Sequence, residues 1–148
     1  MSAVGLLDTC VVIEIANPGF ALESLPQQSL ISSVTLGELS AGPLLASDPT
    51  EASARLRVLQ ATEEVYGASV VPYDAAAARV FGSVVTDVVR RGRSPRSRIG
   101  DLQIAAIAIA NRLPLYTINV GDFTGIRILE VVPVPPCPDV IGATSNPI

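Results

Sequence analysis

Val4-Gly5-Leu6-Leu7-Asp8-Thr9-Cys10-Val11-Val12-Ile13 joins two kinds of periodicity with no spacer between them. Val4 to Leu7 is a short apolar run of the kind that forms a buried strand, and it stops at a carboxylate. From Thr9 to Ala16 the spacing turns helical, with Asn17-Pro18-Gly19 as the stop. The same handover recurs along the chain. Ser29-Leu30-Ile31-Ser32-Ser33 reads as a second strand, followed by a helix from Thr35 to about Leu45 that Pro43 disturbs. Asp48, Pro49 and Glu51 open a third helix, which runs to about Tyr66 and stops at Gly67. Ser69-Val70-Val71-Pro72 is a third strand, and Asp74 then caps a helix whose stripe is Val80, Phe81, Val84, Val85 and Val88. Asp101 opens the next helix, Leu115 to Ile118 is a fourth strand, and Ile128 to Val132 a fifth. Strands alternating with helices predict an α/β fold: an α/β/α sandwich around a parallel sheet of about five strands. The expected domain covers residues 1–132, and the proline-rich stretch 133–148 is expected to be a mobile tail.

The 148-residue length suits a single core, and the 49% hydrophobic content exceeds what one ordinary soluble domain needs to fill it. Part of that apolar material is expected to cover a partner or a second subunit. The longest apolar run, Ile104 to Ala110, is too short to cross a membrane. The first residues lack the basic stretch of a signal peptide, so a soluble, cytoplasmic protein is expected. Cys10 and Cys137 supply neither a disulfide framework nor metal-ligand spacing. Cys10 falls in a first helical turn, where a reactive thiol is conceivable, but a small core residue is the stronger reading.

The net charge of −4 argues against a general nucleic-acid coat. All ten basic residues are arginines, and Arg90, Arg91, Arg93, Arg96 and Arg98 crowd into one segment. Such a segment either contacts phosphates or is a solvated loop. With three Tyr, three Phe and no Trp, a base-stacking platform is not expected.

Four acids stand where a strand or loop gives way to a helix: Asp8, Glu38, Asp101 and Asp122. In open parallel sheets the helices that follow the strands start at the carboxyl rim, so the four can meet there. Each has a plainer alternative. Thr35 to Glu38 fits a capping box, Asp101 an N-cap, and Asp122 a turn. Asp8 resists that treatment, because a carboxylate abutting a buried strand is costly without a partner. Clustered carboxylates raise one another's pKa, and a hard divalent cation such as Mg²⁺ or Mn²⁺ relieves the conflict. A chain without histidine or lysine has few other routes to acid–base or nucleophilic chemistry.

Leu6 to Ile13, Ser33-Val34-Thr35-Leu36-Gly37-Glu38-Leu39, Asp101-Leu102-Gln103-Ile104-Ala105-Ala106 and Thr117-Ile118-Asn119-Val120-Gly121-Asp122-Phe123 resemble, in order, the motifs of PIN-domain nucleases. More narrowly they look like the VapC-type toxins of toxin–antitoxin pairs, over about residues 4–132. The resemblance implies a metal-dependent endoribonuclease that uses Mg²⁺, with Mn²⁺ as substitute. It also implies a homodimer and a cognate antitoxin covering the acidic groove. On it, Asp8, Glu38, Asp101 and Asp122 take the catalytic positions, with Asp8, Asp101 and Asp122 on the metal. Thr9, Thr117 and Asn119 match positions that support the metal or its waters. Cys10 stands where Asn is common, and lysine is missing around the groove. Arg90, Arg91, Arg93, Arg96 and Arg98 are the candidate RNA contacts, with Arg112 and Arg127 weaker ones. A PIN nuclease of RNA processing and a non-catalytic PIN-like binding module are the alternatives. A response-regulator or dehalogenase-type phosphoryl site fits poorly, since the first needs a lysine and the second a paired-aspartate motif.

Overall fold

A computed structural model describes residues 3–138. Five parallel strands form one sheet in the order β3-β2-β1-β4-β5: β1 Val4–Leu7, β2 Gln28–Ser32, β3 Val70–Val71, β4 Leu115–Thr117 and β5 Val131–Pro133. Five helices cover it: α1 Thr9–Glu14, α2 Ser33–Ala41, α3 Pro49–Tyr66, α4 Ala75–Arg90 and α5 Ile99–Ala110. This is the α/β/α sandwich expected from the alternation of strands and helices.

Successive strand residues point to opposite faces, and the two cores follow that alternation residue by residue. Leu6, Leu30, Leu115 and Val131 join one core with the apolar faces of α4 and α5. Their successors Leu7, Ile31, Tyr116 and Val132 join the other, with Val11 and Val12 of α1, Leu39 of α2 and Val58 and Leu59 of α3. Both faces of β1 are therefore buried, which explains why Val4 to Leu7 is continuously apolar. Gly5 is needed because the ring of Tyr116 lies where its Cβ would sit, 2.3 Å from the nearest ring carbon.

Several boundaries differ from expectation, each for a local reason. α2 begins at Ser33, since Ser32 rather than Thr35 is the cap: its Oγ accepts from the Thr35 backbone N–H at 3.1 Å. Pro43 does disturb the helix, whose continuation over Gly42–Leu45 is a 3-10 turn. α3 matches expectation at both ends, with the Asp48 carboxylate accepting from Glu51 N–H at 2.8 Å. The fifth strand starts three residues later than expected. Leu129 N–H closes a turn onto Ile126, Ile128 is exposed, and pairing begins only where Leu115 N–H reaches the Glu130 carbonyl. β5 runs to Pro133, and Val134 is buried with its N–H bonded to the Thr117 carbonyl at 2.9 Å, so the folded unit continues past residue 132. Residues 139–148 of the expected tail lie outside the described residues. No helix among the described residues is long and apolar enough to cross a membrane.

Candidate active site

Strand order reverses between β1 and β4, the neighbours from which the sheet grows in opposite directions. At such a switch point the loops leaving the two carboxyl ends diverge and open a crevice. Asp8 follows β1 there directly, buried to 4% exposure. One of its oxygens accepts from Thr9 N–H at 2.9 Å. The other accepts from the Thr117 hydroxyl at 2.8 Å and the Cys10 thiol at 3.3 Å. Thr117 is the last residue of β4 and fully buried, and its hydroxyl also accepts from Asn119 N–H at 3.0 Å. The carboxylate is thus fixed in place by its neighbours, as a buried charge requires.

The remaining acids face it from three directions. Asp101 lies in the first turn of α5, but it is not the cap, since that position belongs to Arg98, which makes no side-chain capping bond. Its carboxyl is left to the site, where burial first, then the charges of Asp8, Asp122 and Glu38, push its pKa up to about 6 against some relief from Arg98. Glu38 sits beyond the first turn of α2 and does not cap it. Its Oε1 would be 2.8 Å from a Cβ at Gly100, so the missing side chain there gives it room beside α5. Partial burial raises the Glu38 pKa, the Thr9 hydroxyl lowers it, and Asp8 raises it again. Asp122 lies in a 3-10 turn, Val120–Phe123, and is clamped by Arg98: one guanidinium nitrogen is 3.1 Å from its carboxylate and the other donates to its carbonyl at 3.1 Å.

Asp8 is bonded to the end of β4, Asp122 is held by Arg98 at the start of α5, and Glu38 lies against Gly100 beside Asp101. The four predicted acids therefore lie along one rim. Among the described residues, however, no three acidic, cysteine or histidine side chains close into a ligand cage. The arrangement is open: one acid fixed, one crowded by like charge, one turned to an arginine and one partly in solvent. Its donor set is all carboxylate and hydroxyl oxygen, with the like charges around Asp101 only partly relieved by Arg98, which fits a hard divalent cation.

Of the predicted supporting residues, Thr117 touches Asp8 through its side chain and Asn119 acts through its backbone. Thr9 bonds Thr35 at 2.9 Å, and Thr35 bonds Ser32, a chain of hydroxyls tying α1 to α2. Sequence reasoning misses that chain because Ser32 and Thr35 look like ordinary cap residues. It misses the Arg98 clamp too, although Arg98 stands one helical turn before Asp101. Cys10 is not activated: burial, then the neighbouring Asp8 charge, push its thiol pKa up, outweighing the hydrogen bonds with the Ile118 backbone and the Thr117 hydroxyl.

Two clefts border α1. One, of about 680 Å³, is lined by Cys10, Glu14, Asn119 and Cys137 among others. The second, of about 450 Å³, is lined by Thr9, Glu38, Leu39, Leu45 and Arg55 among others. The arginine segment does not act as one patch. Arg93 donates to the Gly121 carbonyl at 2.9 Å and Arg98 holds Asp122, whereas Arg90 and Arg91 lie by Asp87 and Gly125, and Arg96 is exposed.

No protein-family model matches the chain. It is similar to Ribonuclease VapC5 of Mycobacterium tuberculosis, with 34% identity covering 89% of this chain and 96% of that protein. It is 26% identical to Ribonuclease VapC of Rickettsia bellii over 88% of this chain and 96% of the relative. Among solved structures, a crystal structure of VapBC-5, a toxin–antitoxin system of M. tuberculosis, superposes with a TM-score of 0.72. That match has 28% identity and covers 90% of this chain and all of the matched one.

Proposed function

The chain belongs to the VapC family of toxin ribonucleases, and from that premise we propose that its acidic rim is a metal-dependent endoribonuclease centre. The protein is the toxin half of a toxin–antitoxin pair, with an antitoxin as its partner. The reading of the site is that Asp8, Asp101 and Asp122 hold Mg²⁺, or Mn²⁺ in its place, at the switch point. Thr9, Thr117 and Asn119 keep the surrounding groups in position. Such an ion, when bound, supplies acidity to water and neutralises charge building on the phosphoryl group.

The chain's own residues do the rest. Asp8 is held from two sides and gives the site a fixed reference. Glu38, closer to solvent and at raised pKa, orients the attacking water and accepts its proton. The water oxygen attacks phosphorus in line, the bond to the 3′ oxygen breaks, and that oxygen takes a proton from solvent water as it leaves. The products are 5′-phosphate and 3′-hydroxyl ends. Arg98 stands beside Asp122, where a guanidinium can meet a strand phosphate as well as a carboxylate. Arg90, Arg91, Arg93 and Arg96 are further RNA contacts in this reading, though they do not form one patch with it. Exposed Leu44 and Leu45, at 86% and 76%, support burial against a protein partner, and self-association as a homodimer in the cytoplasm is part of the same proposal.

The observation that carries the reading is the convergence of four acids on one rim in a chain of this family. Defined RNAs incubated with and without Mg²⁺ or Mn²⁺, beside Asp8→Asn, test it. Wild type should cut only with the ion, and Asp8→Asn should lose at least about a hundredfold in rate while keeping its circular dichroism and melting profile. Undiminished cutting by the variant would end the mechanism.

A further inference from the structure

Away from the acidic rim, Arg90, Arg91 and Arg127 surround two adjoining clefts of about 440 and 330 Å³. One carboxylate, Asp87, faces them, and Arg127 already occupies it. The Arg127 backbone N–H and Nε each donate to Asp87 at 3.2 Å, and a terminal nitrogen lies 3.1 Å away. The same interactions, led by the backbone bond, hold the Asp87 pKa low, so that carboxyl stays ionised and committed. Arg90 and Arg91 form no salt bridge among the described residues. Three guanidinium charges against one carboxylate leave +2 at the clefts, in a chain whose net charge is −4.

The backbone is shaped for this. Gly125 has φ +92°, and a Cβ there would meet Arg91 Nε at 2.6 Å. Glycine thus lets the Arg91 side chain lie against the main chain. Gly125 is three residues past Asp122, which places it within about 11 Å of the acidic rim along the chain. Arg93 and Arg98 spend donors on the intervening turn. The arginine segment therefore divides into residues that shape the rim and residues left free to bind.

We propose that the clefts formed by Arg90, Arg91 and Arg127 are a second phosphate subsite, taking a backbone phosphate of the RNA that flanks the cut. A guanidinium fork matches two phosphate oxygens, and two such forks without carboxylate partners lose little by accepting an anion. The proposal rests on the endoribonuclease reading above.

The test uses full-length protein carrying Asp8→Asn, so that RNA survives, in chelator, with a single-stranded oligoribonucleotide. Adding Arg90→Gln and Arg91→Gln should weaken binding about tenfold and make the plot of log affinity against log salt shallower by about 0.7 for each phosphate no longer neutralised. Restoring charge with Arg90→Lys and Arg91→Lys should recover the slope but only part of the affinity. Arg79→Gln, which removes one such charge elsewhere on α4, should stay within about twofold on the same reasoning. Unchanged affinity and slope in the double glutamine variant would overturn the subsite, as would an equal weakening in Arg79→Gln. Inorganic phosphate bound there without competing against RNA would mark a free-anion site and overturn it too. Wild type that fails to cut any RNA with Mg²⁺ or Mn²⁺ would instead remove the reading beneath the proposal.

Discussion

Thr117 shows how a neutral residue can govern an acidic site. Its buried hydroxyl gives a hydrogen bond to buried Asp8 and takes one from the N–H of Asn119. Thr117→Val keeps the shape and deletes both, so chemical denaturation should show a loss of about 1–3 kcal/mol. Divalent-ion affinity, read by calorimetry, should fall about 10- to 100-fold, as for other residues that orient ligands. Asp101 gives a pH signature. Its folded pKa, about 6, lies above its ordinary value of 3.8, so the folded state holds the proton more tightly. That contribution to stability is complete below about pH 4 and is lost as pH rises through about 6. Without divalent ions the melting temperature should therefore fall across that window. Added Mg²⁺ should raise it more at pH 7.5 than at pH 5, where protons compete for the same oxygen. A flat profile would remove Asp101 from the site.

At the scale of elements, the close approach of α5 to α2 has a separable consequence. Gly100→Ala places a Cβ against Glu38 Oε1, the free end of a flexible side chain. Alanine also suits a helix better than glycine, by up to about 1 kcal/mol. The variant should melt no lower than wild type yet cut more slowly, because Glu38 must turn away; unchanged turnover would show that Glu38 is idle. Elements built from continuous apolar runs are legible in the sequence: β1, β2 and β4 need only Val4 to Leu7, Ser29 to Ile31 and Leu115 to Thr117. Caps set by local side chains, such as Asp48 and Asp74, are legible too. The start of β5 is not, because Ile128 and Leu129 are as apolar as any strand residue and only the turn closed by Ile126 excludes them. The start of α2 is equally hidden, because Ser32 and Thr35 are chemically similar caps, and only the bond from Thr35 N–H to the Ser32 hydroxyl shows which one serves.

At the scale of the whole molecule, two separate cores lie on opposite faces of the sheet, and neither includes the acidic rim. Chelation should therefore abolish cutting while leaving one cooperative unfolding transition, checked by circular dichroism in excess chelator. Loss of structure on chelation would make the ion part of the fold. The rim itself can be foreseen, because alternating strands and helices place every acid that follows a strand at the same edge. Which arginine meets which acid cannot. Arg98 and Asp122 are distant in sequence, and their pairing depends on how the turn after β4 folds over the start of α5.

The parallel sheet also gives the molecule a front and a back. β1 is entered from Ala3 at the edge opposite Asp8, whereas β5 delivers the chain to the Asp8 edge, where Cys137 reaches the Pro18 carbonyl beside α1. An affinity handle joined ahead of Ala3 stands clear of substrate. The same handle fused directly to Pro138 would start next to the chemistry proposed for that edge, and a purification scheme that ignores this polarity would handicap the very reaction it is meant to reveal.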